Sequence, residues 1–488
     1  MPFVEFVAAI IIAIFSLTLW WYFTFYKYKK YLKMFPTPTQ LPLLGITYKM
    51  RNTVGIYNAL QSYIKEMGRN IFAMMGPFPT LLTSDPKIFS VVLGSSKHIN
   101  KPFVFSAAFS KMAPNSLAIV NGDEWRRQRK LLNPSLDYKN VMDNNKIFNK
   151  HSENLINKLK EEINNESVEV GHILEDFTFE QSLETLFGDT EFEFDKKVMG
   201  KCIKLLMNIG AKKVVSPLSY FSITQLFTKI YWQERNTLKI FHKIVKELIE
   251  KKRKEFNSGV KIERRPIYID ILFSTNCTDE FIEDQVTVGI GVAVDTTAVT
   301  LSFMLYHLAK FPEIQQKAFE EVRSILGEDI HQKITNQQVM QMKYLDLVIK
   351  ESMRLNTTAP VFLRTLEEDV SFEKNTLPKG LMVFMIPFMM HVDPELYPNP
   401  EKFIPERFLP ENLNPNRYSY APFNLGVRNC IGKLYAMVSM KIALAKMLLN
   451  YEFVDVHHKL CLSVEVTLQS KTGIRVGIRK RNKVEKNE

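Results

Sequence analysis

Cysteine is scarce in this chain of 488 residues: Cys202, Cys277, Cys430 and Cys461 are the four, and none forms a CxxC pair or joins a histidine cluster. That spacing argues against a structural zinc site and a disulfide scaffold. It suits a reducing compartment, where a thiol is by default a small, buried, apolar side chain. Ser/Gly-rich linkers, low-complexity runs and internal repeats are missing after about residue 45, so nothing divides the remainder into separate domains. No Gly-x-Gly-x-x-Gly follows a strand-like run, so the chain brings no dinucleotide-binding turn of its own. Acidic residues number 52 against 64 Lys and Arg, a net charge of +12 that suits nucleic acid, an anionic membrane surface or an acidic protein partner. Neither an RNA-binding Gly-aromatic signature nor a basic recognition helix accompanies the charge, which argues against nucleic acid. What the chain does have is apolar mass: 46% hydrophobic against 24% charged residues, enough for one large buried core.

That apolar mass begins at once. From Phe3 to Tyr26 almost every residue is apolar or aromatic, and at ~1.5 Å per helical residue such a run crosses a ~30 Å hydrocarbon layer. Trp20, Trp21 and Tyr22 supply an interfacial belt, and Lys27, Lys29, Lys30 and Lys33 follow. This order fits an uncleaved anchor with a cytosolic body, whereas a signal peptide has a basic start, a shorter apolar run and a cleavage site. Pro36, Pro38, Pro42 and Gly45 then predict a stiff spacer. The expected organisation is an anchor over 1–28, a basic and proline-rich linker over 29–45 and a catalytic body over 46–488.

Of the four cysteines, Cys430 has informative neighbours. It sits in Phe423-Asn-Leu-Gly426-Val-Arg428-Asn-Cys430-Ile-Gly432, ahead of an apolar helical run from Leu434 to Leu449. A thiol just before a helix meets unpaired backbone N–H groups and the positive end of the dipole, which favour a thiolate. Gly426 allows a tight bulge, and Gly432 allows close approach to a flat ligand. Elsewhere, Trp125 and Arg129 lie four apart and share a helical face, while Glu351 and Arg354 lie three apart on a helix ending before Pro360. Pro405-Glu406-Arg407-Phe408 comes later. Between Glu283 and Phe311 a long, almost uncharged run carries one acid, Asp295, beside Thr296 and Thr297. A buried carboxylate costs several kcal/mol unless partnered, so this acid needs a reason to be there.

Five positions of the decapeptide match F-x-x-G-x-R-x-C-x-G, and with the other pieces in order along the chain the sequence resembles the cytochrome P450 superfamily. Trp125 to Ser135 and the tail are most similar to the branch with fatty-acid ω-hydroxylases and many insect enzymes. The resemblance implies a mostly α fold with small β-sheets: one large body enclosing haem b, plus the N-terminal transmembrane helix. It implies Cys430 as the axial thiolate, shielded by Phe423, with Trp125, Arg129, Arg364 and Arg428 holding the propionates and Gly426 and Gly432 shaping the loop. Glu351, Arg354 and Arg407 become a buried charge network behind that loop. Thr296 becomes the alcohol that hydrogen-bonds iron-bound oxygen, and Asp295 the proton relay. Two departures stand out: Ala293 replaces the usual glycine, and Val292 replaces the Glu that esterifies haem in the ω-hydroxylase branch, so no covalent ester link is expected.

The implied function is insertion of one atom of O2 into a small lipophilic substrate at the endoplasmic reticulum membrane, by a chain functional as a monomer with its body cytosolic. Electrons would come from a separate NADPH-cytochrome reductase, with cytochrome b5 as a further candidate donor. Arg126, Arg127, Lys130, Lys433, Lys441 and Lys446 offer a basic docking face for such a partner. Stretches 103–112 and 218–232 resemble regions that line substrate access. The rival functions are a non-catalytic haem-thiolate ligand binder and an oxygen-independent isomerase or dehydratase. Retention of Asp295 and Thr296 speaks against the latter.

Overall fold

The apolar run that opens the chain forms a single helix, Pro2–Tyr31, with its basic residues in the last turn, where they complement the helix dipole. Phe3–Tyr31 is long and apolar enough to cross a membrane by length and composition. In this computed structural model the described residues are 2–163, 165–188, 195–220, 222–258, 264–327, 329 and 331–481. Phe221, within the 218–232 stretch, lies outside them.

A helix that is apolar all round is satisfied only in a protein core or a membrane, and two such helices organise the core of the body. Asp279–Lys310 starts at Thr278, whose side chain accepts the Phe281 N–H, and carries Asp279 and Glu280 in its first turn. From Val294 onward nearly every side chain is buried, so this second long apolar helix is a core element. Lys433–Asn450, the helix after Cys430, is buried over most of its length as well. Helix Gly171–Phe187 packs along the central helix, with the Thr178 hydroxyl donating to the Val294 carbonyl at 3.0 Å.

The sheets are small, as the resemblance implies. Four strands run in the order Asn70–Met75, Phe78–Thr83, Met382–Met385, Phe362–Thr365, the middle pair parallel and the outer pairs antiparallel. Arg475–Lys480 pairs with Val168–Glu169 on one side and Tyr451–Val454 on the other. Leu462–Val464 pairs with Leu468–Ser470, and the turn between them reaches back to the central helix.

The N-terminal segments are packed more closely than a free anchor and spacer require. Trp21 is buried and its indole donates to the Gly76 carbonyl at 2.9 Å, Phe25 stacks on Phe72, and Leu32 and Phe35 join the core under the four-stranded sheet. The proline-rich stretch is annealed along the sheet: Phe72 N–H donates to Pro36 O, Ile46 N–H to Met74 O, and the Gln40 side chain accepts the Met74 N–H at 2.6 Å. Gly45 closes this seam at φ +61, where a Cβ would stand 1.8 Å from Met74 O. Gly45→Ala is therefore expected to lift 36–45 off the sheet and to raise the rate of proteolytic nicking there by about tenfold, scored by limited proteinase K digestion in detergent.

Candidate functional site

Cys430 lies at the end of a loop whose shape is set by backbone rather than by side chains. Its N–H donates to Phe423 O at 2.9 Å, pinching residues 423–430 into a closed turn. Gly426 makes the turn possible: at φ +72 a Cβ would stand 1.8 Å from Leu93 O. Gly432 is the N-cap of the following helix. A Cβ there would meet only Cys430 Sγ at 4.0 Å, so the protein has room for one, and the need for glycine arises from whatever occupies the cavity against the sulfur. Burial pushes the Cys430 thiol up, while the Gly432 N–H, Arg129 and Lys433 pull it back.

The loop faces a cavity of about 400 Å³ between the central helix and Cys430. Trp125, Arg129, Arg364, Arg428, Phe423 and Gly432 all line it, so residues from three separate stretches of sequence converge there. Lys101 lines it too. Among the described lining residues there are four cations and no carboxylate. Arg428 donates to the carbonyls of Ile99 and Val120 and rests over the Trp125 ring, and Arg364 donates to its neighbour's carbonyl. Burial, with Arg364 alongside, pulls the Arg428 guanidinium down to about 9, and burial pulls Arg364 down to about 10. Lys101 is lowered by burial and by both arginines. Such buried charges lack anions. A flat group with two carboxylates and a thiolate-seeking metal supplies what is missing, so the residues present fit haem b.

Arg129 takes a more local role than the propionate contact implied for it. Its guanidinium grips Asn429, donating to the backbone O at 2.7 Å and to Oδ1 at 3.0 Å, and so steadies the loop one residue before the cysteine. The loop is braced from behind as well. Arg354 and Glu351 are fully buried and joined by two bonds of 2.7 and 2.8 Å, and Arg407 reaches the same carboxylate at 3.3 Å. Arg354 also binds the carbonyls of His391, Pro400 and Lys402. His391 passes the bracing on: its Nε2 accepts the Ala421 N–H at 3.0 Å, which leaves the proton on Nδ1 to meet the Thr357 hydroxyl at 2.7 Å. That arrangement requires the neutral ring.

On the central helix Thr296 and Thr297 line the cavity, with Val292 and Ala293 one turn earlier. Thr296 donates to the Val292 carbonyl at 2.9 Å, leaving its oxygen free to accept a donor from the cavity. Asp295 does not face that cavity. Its carboxylate accepts from Thr467 at 2.6 Å and Gln469 at 3.1 Å, and it lines a separate cleft of about 320 Å³ with Glu175 and Lys204. The helical period explains this: Val288, Gly289, Val292, Ala293, Thr296, Thr297 and Thr300 recur three and four apart and share the cavity face, and residue 295 falls off it. Burial pushes the Asp295 carboxyl above the usual carboxylate range, partly offset by the Thr467 bond.

Two of the surface cations expected from the sequence are not on the surface. Lys446 is buried against Glu153 at 2.8 Å, and Lys441 pairs with Asp346 at 3.0 Å, because both sit on the inward faces of the core helix after Cys430. Lys433 and Lys130 are exposed, as are Arg126 and Arg127, which are paired with Asp123 and Glu124. The sequence reading missed Lys101, whose only signal was a lone lysine ahead of an apolar run. It also missed Thr358, which lines the cavity and meets Thr300 at 2.7 Å. A further set of residues, Asp284, Gln285 and Gln128, ties segment 115–117 to the central helix through Asn115 and Leu117.

The family model described as Cytochrome P450 matches residues 35–473 of this chain. Among curated proteins it is similar to "Probable cytochrome P450 313a4" of Drosophila melanogaster, 29% identical with 89% of this chain and 91% of the relative covered. It is also similar to "Cytochrome P450 4d10" of Drosophila mettleri, 26% identical with 91% of each covered. A mammalian relative, "Cytochrome P450 4V2" of Rattus norvegicus, is 27% identical over 93% of this chain and 91% of its own length.

Two outcomes follow from the bracing. Arg354→Leu strands the Glu351 carboxylate in a dry site and is expected to cost roughly 3 to 5 kcal/mol, read from thermal or denaturant unfolding. Burial, reinforced by the charge of Arg354, holds His307 and His391 down to about 3 from an ordinary 6.5. The unfolded chain takes up those protons as pH falls below 6.5 while the folded chain does not. Stability therefore falls between pH 6.5 and 3. A melting-temperature profile against pH should show the decline, and His307→Gln should flatten it.

Proposed function

From the premise that this chain belongs to the cytochrome P450 family, which uses haem b with a cysteine thiolate as axial ligand, we propose that it is a monooxygenase of lipophilic substrates anchored in the endoplasmic reticulum membrane. Residues 1–28 are the anchor, 29–45 the linker and 46–488 the catalytic body. The observation that carries the reading is the cavity itself: one cysteine at the end of a braced loop, four cations with no acid among the described lining residues, and a largely apolar wall.

Haem bound there supplies the iron at which O2 is activated with two electrons. The protein's own residues do the rest. Cys430 donates its sulfur, and its loop holds that sulfur in place without help from flexible side chains. Arg364, Arg428 and Lys101, with the Trp125 indole, take the two propionates, while Arg129 steadies Asn429. Phe423 shields the sulfur from one side. Val292, Ala293, Val288 and Phe362 exclude water and favour an apolar substrate face. Thr296 Oγ1 accepts a hydrogen bond from the cavity and can return its own proton there by releasing the Val292 carbonyl. Asp295 takes protons from the cleft on the opposite side of the helix, and delivering them requires release of Thr467 and Gln469. Val292 offers no carboxylate for an ester to the haem.

Electrons come from a separate NADPH reductase, or from cytochrome b5, docking on the face that carries Lys130, Lys433, Arg126 and Arg127. A basic face of this kind steers an acidic flavoprotein and loses its pull as salt rises.

Cys430→Ala is expected to abolish the thiolate signature in a carbon monoxide difference spectrum, and an unchanged spectrum would refute the ligand assignment. In Thr296→Ala the signature stays, and NADPH consumption with reductase present uncouples from product by about one order of magnitude. Coupling equal to that of the parent would remove Thr296 from the proton path.

A further inference from the structure

Beside the haem cavity lies a second cavity of about 100 Å³, lined by apolar side chains that include Phe105, Val361, Leu363, Val464 and Val466. Among its described lining residues one is ionisable, Glu465. Along a strand, residues 464, 465 and 466 would alternate between two faces. Strand Leu462–Val464 stops short of that, and the turn after it brings all three to the same cavity. The turn is fastened to the body from behind, for Thr467 donates to Asp295 at 2.6 Å and the Leu468 N–H to Thr358 O at 2.9 Å.

The Glu465 carboxylate is only half satisfied. Its side chain is 8% exposed and pairs through Oε1 with Lys471, which is 42% exposed, and the Ser463 hydroxyl donates to the same oxygen at 3.4 Å. Among the described residues no hydrogen bond reaches Oε2. Lys471 balances the charge, so what the carboxylate still offers is an unfilled acceptor, and an acceptor that little water reaches favours any donor brought to it.

The two cavities share a wall. The Lys101 ammonium, in the first, lies 3.9 Å from the centre of the Phe105 ring, in the second. Strand Phe362–Thr365 sends Phe362 and Arg364 into the first and Leu363 into the second. Val466 packs in one apolar cluster with Leu117, Val288 and Ala293 of the haem cavity. The cations of the first cavity are already engaged: Lys101, Arg364 and Arg428 face the propionates, and Arg129 holds Asn429. No cation among the described lining residues of either cavity is left to receive a substrate carboxylate. An anion entering the second cavity would lose its water and meet Glu465, whereas a hydroxyl would meet an acceptor.

We infer that Glu465 selects the head of the substrate: the second cavity takes a lipophile whose end remote from the haem carries a neutral hydroxyl donor, and it rejects a free fatty acid. The inference deepens the reading of the haem cavity given above and rests on it.

The test uses the full-length haem-loaded protein in detergent, titrated with 1-dodecanol, its methyl ether and dodecanoate and followed by the haem absorbance. The parent should bind the alcohol about tenfold tighter than the ether, which keeps the oxygen but lacks the donor, and at least tenfold tighter than dodecanoate. Glu465→Leu removes the acceptor and should bring alcohol and ether to within about twofold of each other. Lys471→Met leaves the carboxylate without its cation and should widen the preference for alcohol over ether by about threefold. Both variants break the same ion pair, so a merely structural role moves them in one direction, and opposite signs are the mark of recognition. If Glu465→Leu does not fold, Glu465→Gln, a weaker neutral acceptor, should cut the preference by about threefold. A parent that binds the ether or dodecanoate as tightly as the alcohol, variants that shift the preference the same way, or a parent with the thiolate signature that takes up none of the three probes would overturn the assignment of Glu465 and leave the haem reading intact. A parent without that signature under carbon monoxide would sink the haem reading and the assignment with it.

Discussion

Two buried and two half-buried cations around one cavity, with no acid among its described lining residues, are a debt that the polypeptide does not settle. Folding draws Arg364, on strand Phe362–Thr365, and Arg428 and Lys101, on loops, out of water because the segments that carry them close around the cavity. Each then leans on backbone carbonyls, a weak substitute for an anion. A dianionic cofactor that enters the cavity pairs with them and stabilises the folded chain by mass action. Cofactor binding and completion of the fold are for that reason one thermodynamic event in this protein, and the sulfur of Cys430 adds metal coordination to it.

The same dependence explains where the rigidity is placed. A thiol pushed up by burial becomes a good metal ligand only if it stands where the metal sits. Its loop is fixed at three levels: the backbone bond from Cys430 to Phe423, the close approach of Gly426 to Leu93, and the chain of Glu351, Arg354, His391 and Ala421 behind it. Glu351 accepts, Arg354 donates, and His391 accepts through its carbonyl and Nε2, each with its partners in place, so removing one strands another. None of these residues except Cys430 and its loop neighbours touches the cavity, and the cost of their burial is met by precise hydrogen bonding.

Much of this was legible in the sequence, and the misses have identifiable causes. The decapeptide at Phe423–Gly432, the pair Trp125 and Arg129, and the triad Glu351, Arg354 and Arg407 are local patterns with fixed spacing, so their geometry follows from the helix or loop they sit on. The direction of Asp295 was also legible in principle, because a face that carries residues 292, 293, 296 and 297 leaves residue 295 off it. Lys101 was not, since a single lysine carries no period and its position is set by the Phe103–Phe109 helix and strand Phe362–Thr365 meeting across the cavity. The burial of Lys441 and Lys446 follows from Asp346 and Glu153, which are distant in sequence. The proline-rich stretch reads as a spacer by composition, yet the annealing of Gln40 and Gly45 to Met74 is a tertiary contact that proline content does not encode.

Two buried charge clusters of the fold obey opposite electrostatic rules. Behind Cys430, Glu351 and Arg354 are fully enclosed and tied to backbone carbonyls, an arrangement with one low-energy state. Away from the cavity, Lys213 and Glu234 are enclosed between two helices, but Lys111 beside them remains 37% exposed, so that cluster keeps one edge in water. The difference lies in what surrounds the charge, not in how much charge there is. A buried pair that braces a loop from within one packed layer resists any motion, whereas a pair across a seam makes the seam reversible. The fold holds both kinds, the first behind Cys430 and the second between helices Lys196–Val214 and Lys229–Asn257.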